Sequence, residues 1–440
     1  MIRELIVPSI ICADIFFKIY AERKKAFEER YPYIVKNNFC NRATLIENSV
    51  FLAAFCLFAV FTILSIRDRE YVPASAFCAF SALNALLLYT NNAAKIYSDG
   101  TQVHIRSFLR RHTYALSDFE DSQYTDRHKC VFVFKGVSFS VPSYYPGISK
   151  LVHLLRFSQS PFSSAEGIAF LKDYIQKKAG RKAFRLVPSD AEPALCSTKL
   201  GGLPYWEPNQ AYPTDEKGKK MLLLCQLNFG DCKDESGLLP QSGILQFFIS
   251  ADEELEFGMS DGEYTEQRNF RVVFHEAVDP SVTEADVTPL VPAAEEIQLT
   301  PILKSTALSF EASESYMSDM DCDFVPLLRS AACELTGKEL NYDIYDFLGD
   351  YESGKEIYQM LNEKENSVLC HPAFIHYDVR ESLSDEDAAY FDTAMLFLNS
   401  ESGGGKFLEI GDSGVAMFLI NGKALRARDF SKILYYWDCY

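Results

Sequence analysis

Two uncharged stretches separated by five residues constrain this chain more than any other feature. From Val50 to Ile66 no residue carries a charge, Arg67-Asp68-Arg69-Glu70-Tyr71 follows, and from Val72 to Thr90 the chain is again uncharged. As helices rising 1.5 Å per residue the runs would extend about 26 and 28 Å, close to the roughly 30 Å hydrocarbon core of a bilayer. Soluble helices seldom stay apolar on every face for so long. The pattern therefore predicts a two-helix transmembrane hairpin over 45–92. In its second run Ser75, Ala79 and Ala82 have the spacing of small residues that lets two helix backbones approach in lipid. Lys18, Arg23, Lys24, Lys25, Arg30, Lys36 and Arg42 precede the first run, and Lys95, Arg106, Arg110 and Arg111 follow the second. By the positive-inside rule both termini are expected to be cytoplasmic, in a multi-pass protein of the cell membrane.

Charge divides the chain. Residues 181–440 hold 21 Lys+Arg against 46 Asp+Glu, a net of -25 that exceeds the overall formal charge of -18, the remainder of the chain being net positive. An anionic lipid surface would repel this half, which predicts a domain standing free on the cytoplasmic side. With no basic stripe interleaved with aromatics, nucleic acid is not an expected partner. The 12 cysteines occur singly, without a C-x-x-C pair and mostly within apolar runs. That usage argues against a disulfide framework or a structural zinc site.

The chain reads in order as a basic cytoplasmic leader (1–44), the hairpin (45–92), a small β-rich module (93–178), a polar linker (179–193) and an acidic domain (184–440). In the module, Asp99-Gly100 and Lys135-Gly136 are turn signals between alternating segments, and Ile148–Phe157 and 165–178 have helical spacing. A short sheet closed by a helix behind a two-span hairpin resembles the YcxB-like or bacterial pleckstrin-homology-like membrane proteins in layout over 45–180.

Within the acidic domain several segments are similar to the YwqG-like family of bacterial domains of unknown function. They are Lys199-Leu200-Gly201-Gly202-Leu203-Pro204-Tyr205, Leu222 to Asn228, Ser242 to Ile249, Asn269 to Val273, Gly411 to Ile420 and Asp429 to Tyr440. The resemblance covers about 184–440 and implies a strand-rich α+β fold with no known activity. Where the family has Gly-Tyr-Pro and then Gln-Glu-Asp-Pro-Arg, this chain reads His371-Pro372-Ala373-Phe374-Ile375-His376-Tyr377-Asp378-Val379-Arg380. Leu203–Tyr205, Leu222–Asn228 and Ser242–Ile249 recur in type and order as His371–Ala373, Met395–Asn399 and Ser413–Ile420, which predicts two related halves.

No motif names a reaction. Gly411-Asp412-Ser413-Gly414 lacks an identifiable base and reads as a turn opening a strand. The spacing of His371, His376 and Asp378 matches no metal site, and Asp252-Glu253-Glu254 and Asp319 to Asp323 lack the glycine of a calcium loop, so they read as a solvated face. No cofactor and no metal are expected. The candidate ligand-binding residues are aromatic and polar: Tyr205, Trp206, Gln226, Asp378, Arg380, Asp412, Trp437 and Asp438, lining one groove. Trp437 is expected to be buried, and Asp438 to be held by Arg380. The leading expectation is a membrane protein displaying a cytoplasmic domain that binds a protein or small molecule. Alternatives are a membrane-tethered hydrolase using Asp378 and Asp412 as paired carboxylates, and an immunity-type interaction protein.

Overall fold

The structure, a computed structural model, describes residues 96–106, 111–144, 147–260, 262–349, 351, 354–362, 365–402 and 405–440, with scattered positions before 96. It divides into two compact units, one of residues 1–165 with 342–353 and the other of 166–341 with 354–440.

Among the described residues no helix is long and apolar enough to cross a membrane. The transmembrane hairpin is accordingly withdrawn. With it go the multi-pass membrane localisation with cytoplasmic termini, the lipid partnership through two helices, and the function of displaying a domain from a membrane. A span needs about 20 consecutive apolar helical residues. Of the two runs, Val60, Ile63, Leu64, Arg67, Ser75 and Ala79 are described, as exposed helical positions. The remainder of 45–92 lies outside the described residues, as does most of the leader over 1–44.

In the first unit β1 (Tyr33–Val35), β2 (Ile96–Ser98), β3 (Gln102–Arg106) and β4 (Arg111–Ala115) form an antiparallel sheet in that order. A second sheet contains β5 (Phe119–Thr125), β6 (Lys129–Phe134) and β7 (Val137–Pro142). Its tight turn follows from Lys135-Gly136, both with positive φ, a conformation that glycine adopts without strain. In β6 Cys130, Phe132 and Phe134 are buried at every second position. They meet Ile148, Leu151, Val152 and Leu155, one stripe of helix α1 (Ile148–Phe157).

The second unit is built on one ten-stranded sheet whose halves repeat. Helix α2 (Ala165–Ala179) leads into β8 (Arg181–Pro188), β9 (Lys199–Leu200), β10 (Leu222–Asn228), β11 (Ile244–Ile249) and β12 (Phe270–His275). Then come β13 (Thr306–Ser315), helix α3 (Phe324–Thr336), β14 (Ser367–Val368), β15 (Thr393–Asn399), β16 (Val415–Ile420) and β17 (Leu434–Asp438). The order across the sheet is β12-β11-β10-β9-β13-β8-β14-β15-β16-β17. The first strand of each half therefore lies against the short second strand of the other. The β10–β11 and β15–β16 pairs match residue for residue: Asn228 faces Ile244 as Asn399 faces Val415, and each bulges at its third residue, Leu224 and Met395. Gln226 and Gln246 thus occupy the places of Phe397 and Met417, and His275 that of Asp438.

Both faces of the sheet are covered, one burying Phe247, Phe418 and Tyr435 and the other Met417, Leu419 and Tyr436. Phe247 of the first half meets Phe418 of the second at 4.7 Å between ring centroids, and Tyr435 stacks on Phe418 at 4.5 Å. Continuous apolar runs such as Val415–Ile420 suit this, because every residue of that strand is buried. The stretch read as linker contains β8, which pairs along its length with β13. A chain of 184–440 loses Arg181, whose guanidinium donates to the carbonyls of Asp392 and Cys370. We expect it to melt several degrees below a chain of 166–440; equal midpoints would show that the end of β8 is dispensable.

Candidate functional site

The eight sequence-predicted residues do not line one groove; they fall in three places. Tyr205, Trp206 and Gln226 belong to a buried polar network on β10–β12. Gln226 donates from Nε2 to the carbonyls of Leu195 and Ser197, at 2.9 and 2.8 Å, and its Oε1 accepts from the Tyr205 amide and from Gln246 Nε2. Gln246 Nε2 also donates to the Tyr205 carbonyl at 2.6 Å, leaving its Oε1 to accept from His275 Nε2 at 2.9 Å. Backbone carbonyls accept only, so both amide orientations and the histidine tautomer are dictated by the chain. Burial holds the His275 pKa below its ordinary value. The ring therefore stays neutral, with Tyr205 and Trp206 edge-on to it, each at 5.2 Å. Every polar group of Gln226 is engaged, and the network's work is to shape the 194–207 loop.

Sequence reasoning missed Lys199, which lies beside Gln226 in the ladder. It is buried, and its ammonium donates to the Ala194 and Leu195 carbonyls at 2.8 and 2.9 Å. Burial brings its pKa down to about 8. The available signal was slight: a lysine between Ser197-Thr198 and Leu200, just before Gly201-Gly202.

Asp378 and Arg380 form the second place. The Arg380 guanidinium donates to Asp378 Oδ2 at 2.6 Å and lies 2.9 Å from Asp321 Oδ1, with all three side chains buried. Asp378 Oδ2 also accepts from the Cys322 amide. Burial would raise the Asp378 pKa, but the hydrogen bonds and charge of Arg380 bring it below the usual range. Asp321, with one contact to that guanidinium, is raised by burial. The acidic stretch Asp319 to Asp323 is therefore not simply a solvated face. Asp252 departs from that reading in the same way, being buried and ion-paired to Lys217 and Lys219.

Asp412, Trp437 and Asp438 occupy the third place, on and beside the edge strand β17. Asp438 is held by His376, not by Arg380. The His376 Nδ1 donates to Asp438 Oδ1 at 2.8 Å and its amide to Oδ2 at 2.9 Å. A carboxylate only accepts, so Nδ1 carries the proton and Nε2 is the ring's other nitrogen. Trp437 is half-buried, not enclosed. Its indole donates to the Glu256 carbonyl at 2.9 Å, and Phe257 packs edge-on to it at 5.3 Å. Glu256 and Phe257 have φ of 41° and 59°, a left-handed pair without glycine. Opposite, a Cβ on Gly411 would come within 2.6 Å of Cys439 Sγ and 3.3 Å of the Trp437 ring, and Ser413 two residues on has φ of 52°. Backbone held in this region costs roughly 1–3 kcal/mol per residue and collects at binding sites.

Asp378 and Asp412 do not act as a pair: the first is bound to Arg380, and the second is exposed on the Gly411–Ser413 turn. Glu256, Phe257 and His376, which complete the β17 site, were not legible as a group because His376 lies 120 residues beyond Glu256 in the chain. No curated protein matches the chain in sequence. A family described as a domain of unknown function, DUF1963, matches residues 198–439, more than half of the chain and including both halves of the sheet from β9 to β17. The chain belongs to the DUF1963 family.

Proposed function

We propose that the family domain recognises a cationic group, such as a lysine or arginine side chain of a basic partner, on the Trp437 face of β17. The observation that carries this reading is the placement of Trp437. Its half-exposed ring is gripped between two strained turns, which bear the exposed carboxylates Glu256 and Asp412. A cation over an indole face gains about 0.5–2 kcal/mol, and carboxylates alongside add attraction that salt weakens. The acidic balance of 181–440 would steer such a partner. We further infer a YwqG-like character for this DUF1963 domain, supported by the segments Lys199–Tyr205, Gly411–Ile420 and Asp429–Tyr440. Saturation of the other candidate polar groups by neighbouring protein atoms supports binding over hydrolysis.

The chain has two tryptophans, and Trp206 is buried. Trp206→Phe therefore leaves Trp437 as the reporter. Its emission is expected to shift on titration with an oligoarginine peptide at low ionic strength, and the shift should shrink markedly at about 0.5 M salt, where the screening length falls to a few Å. An emission unmoved by the cationic peptide, or one that responds equally to an oligoglutamate peptide, would refute the reading.

A further inference from the structure

We propose that His153, Asp343 and Asp346, in the first unit, form a binding site for a divalent transition-metal ion, with zinc as the ion to test. The three side chains offer one imidazole nitrogen and two carboxylate oxygens within 4.8 Å of one another. His153 lies on α1, while Asp343 and Asp346 begin the short Ile344–Leu348 helix much later in the chain.

Acidic clusters are common without ions, so the geometry must say more. It does so through two orphaned atoms. Asp346 has only 3% of its side chain exposed, and neither its Oδ1 nor the buried Nδ1 of His153 has a hydrogen-bond partner, the two meeting only as a long His–carboxylate pair. A buried carboxylate oxygen without a partner is costly and calls for an explanation. The two atoms face each other at 3.6 Å. That is too long for a good N–H···O bond, which falls at about 2.7–3.2 Å. It is close to the ~3.4 Å separating two ligand atoms that lie ~2.1 Å from a tetrahedral zinc ion. One ion bound between them would satisfy both.

The surroundings hold the donors ready. Asp346 Oδ2 accepts from Arg156 Nη1 at 2.9 Å, and Arg156 is fixed in turn by the Ser122 hydroxyl and carbonyl. Oδ1 is thereby turned toward His153. The guanidinium and a divalent ion together bring three positive charges, so the exposed Asp343 is needed beside Asp346 to leave a net charge of one. One Asp343 oxygen accepts from the Asp346 amide at 2.8 Å, leaving the second for the metal. Histidine nitrogen with two carboxylates is a donor set suited to zinc, and three protein ligands leave a place for water. The site would join α1 to a segment 190 residues further along the chain, the separation of Arg156 from Asp346. The other such donor group among the described residues, Asp321, Cys322 and Asp378, has its carboxylates on Arg380 and carries no orphaned atom. This site is independent of the β17 reading.

The test uses the full chain, stripped with a chelator and dialysed against Zn²⁺, with uptake measured by elemental mass spectrometry and the site probed with Co²⁺ by visible absorption. A saturable site with the intense absorption of tetrahedral Co²⁺ is expected. His153→Ala and Asp343→Asn should each abolish that absorption and weaken uptake by at least about tenfold, the lower bound for loss of even an outer partner. Asn caps a helix as well as Asp does, so Asp343→Asn keeps the local fold and decides the matter if the alanine variant unfolds. Uptake by the wild-type chain no greater than by Asp343→Asn would overturn the proposal.

Discussion

Arg380→Met is expected to reduce the unfolding free energy by about 3–5 kcal/mol, the usual consequence of leaving buried carboxylates without their cation. That is a large share of the roughly 5–15 kcal/mol by which a domain is stable. The dependence on pH identifies the cause. In the native protein Asp378 is held below its ordinary value against the opposing effect of burial. It therefore contributes stability that is present above pH of about 4, the unfolded value, and lost as pH falls through the lower native one. Asp321 is raised by burial and acts in the opposite sense, disfavouring the fold once pH exceeds its unfolded value. Without the guanidinium both carboxyls rise. The variant should then recover part of its deficit between pH 7 and 5, as the buried carboxyls protonate. Urea denaturation of both proteins across that range is the measurement. A deficit below about 1 kcal/mol, or one that does not shrink toward pH 5, would mean that the cluster relaxes into water.

Gln226→Leu is the second substitution with a large expected effect, and its sign runs against simple hydrophobicity. The position lies on an apolar strand, and its pseudo-equivalent in the other half is Phe397, so leucine fits the surrounding pattern. Removing the amide nonetheless strands the Tyr205 amide and the Ser197 carbonyl, and takes one of two partners from Gln246 Nε2 and from the Leu195 carbonyl. Each buried polar group left without a partner costs about 1–3 kcal/mol. Local rearrangement keeps these from adding in full, and a loss of about 3 kcal/mol or more is expected. Phe397→Leu, the matched change in the second half, leaves no polar group stranded and should cost less. A Gln226→Leu protein as stable as Phe397→Leu would show that the network is ornamental to the fold.

Local chemistry was readable in advance. The alternation in Lys129–Phe134 and the Lys135-Gly136 turn announce a hairpin, because a two-residue turn and a period of two are properties of a few neighbouring side chains. The Leu222–Asn228 and Met395–Asn399 segments and their partners were visible as a repeat for the same reason. The apolar runs at 50–66 and 72–90 misled, because hydropathy reports that a segment avoids water and does not establish a continuous helix long enough to cross lipid. The one-groove reading failed differently. Residue type alone grouped Tyr205, Trp206, Gln226, Asp378, Arg380, Asp412, Trp437 and Asp438, although their partners lie elsewhere.

What the amino-acid order determined by itself was which segments become strands and where they turn, together with membership of the DUF1963 family, since these depend on near neighbours and on residue type. The tertiary structure alone decided that β8 and β13 cross to the opposite halves, that His376 rather than Arg380 meets Asp438, and that Asp346 faces His153. Those pairings join residues from 62 to more than 100 positions apart. A distant partner is selected by the closing of the sheet and the burial of its charges, and no local pattern records that choice.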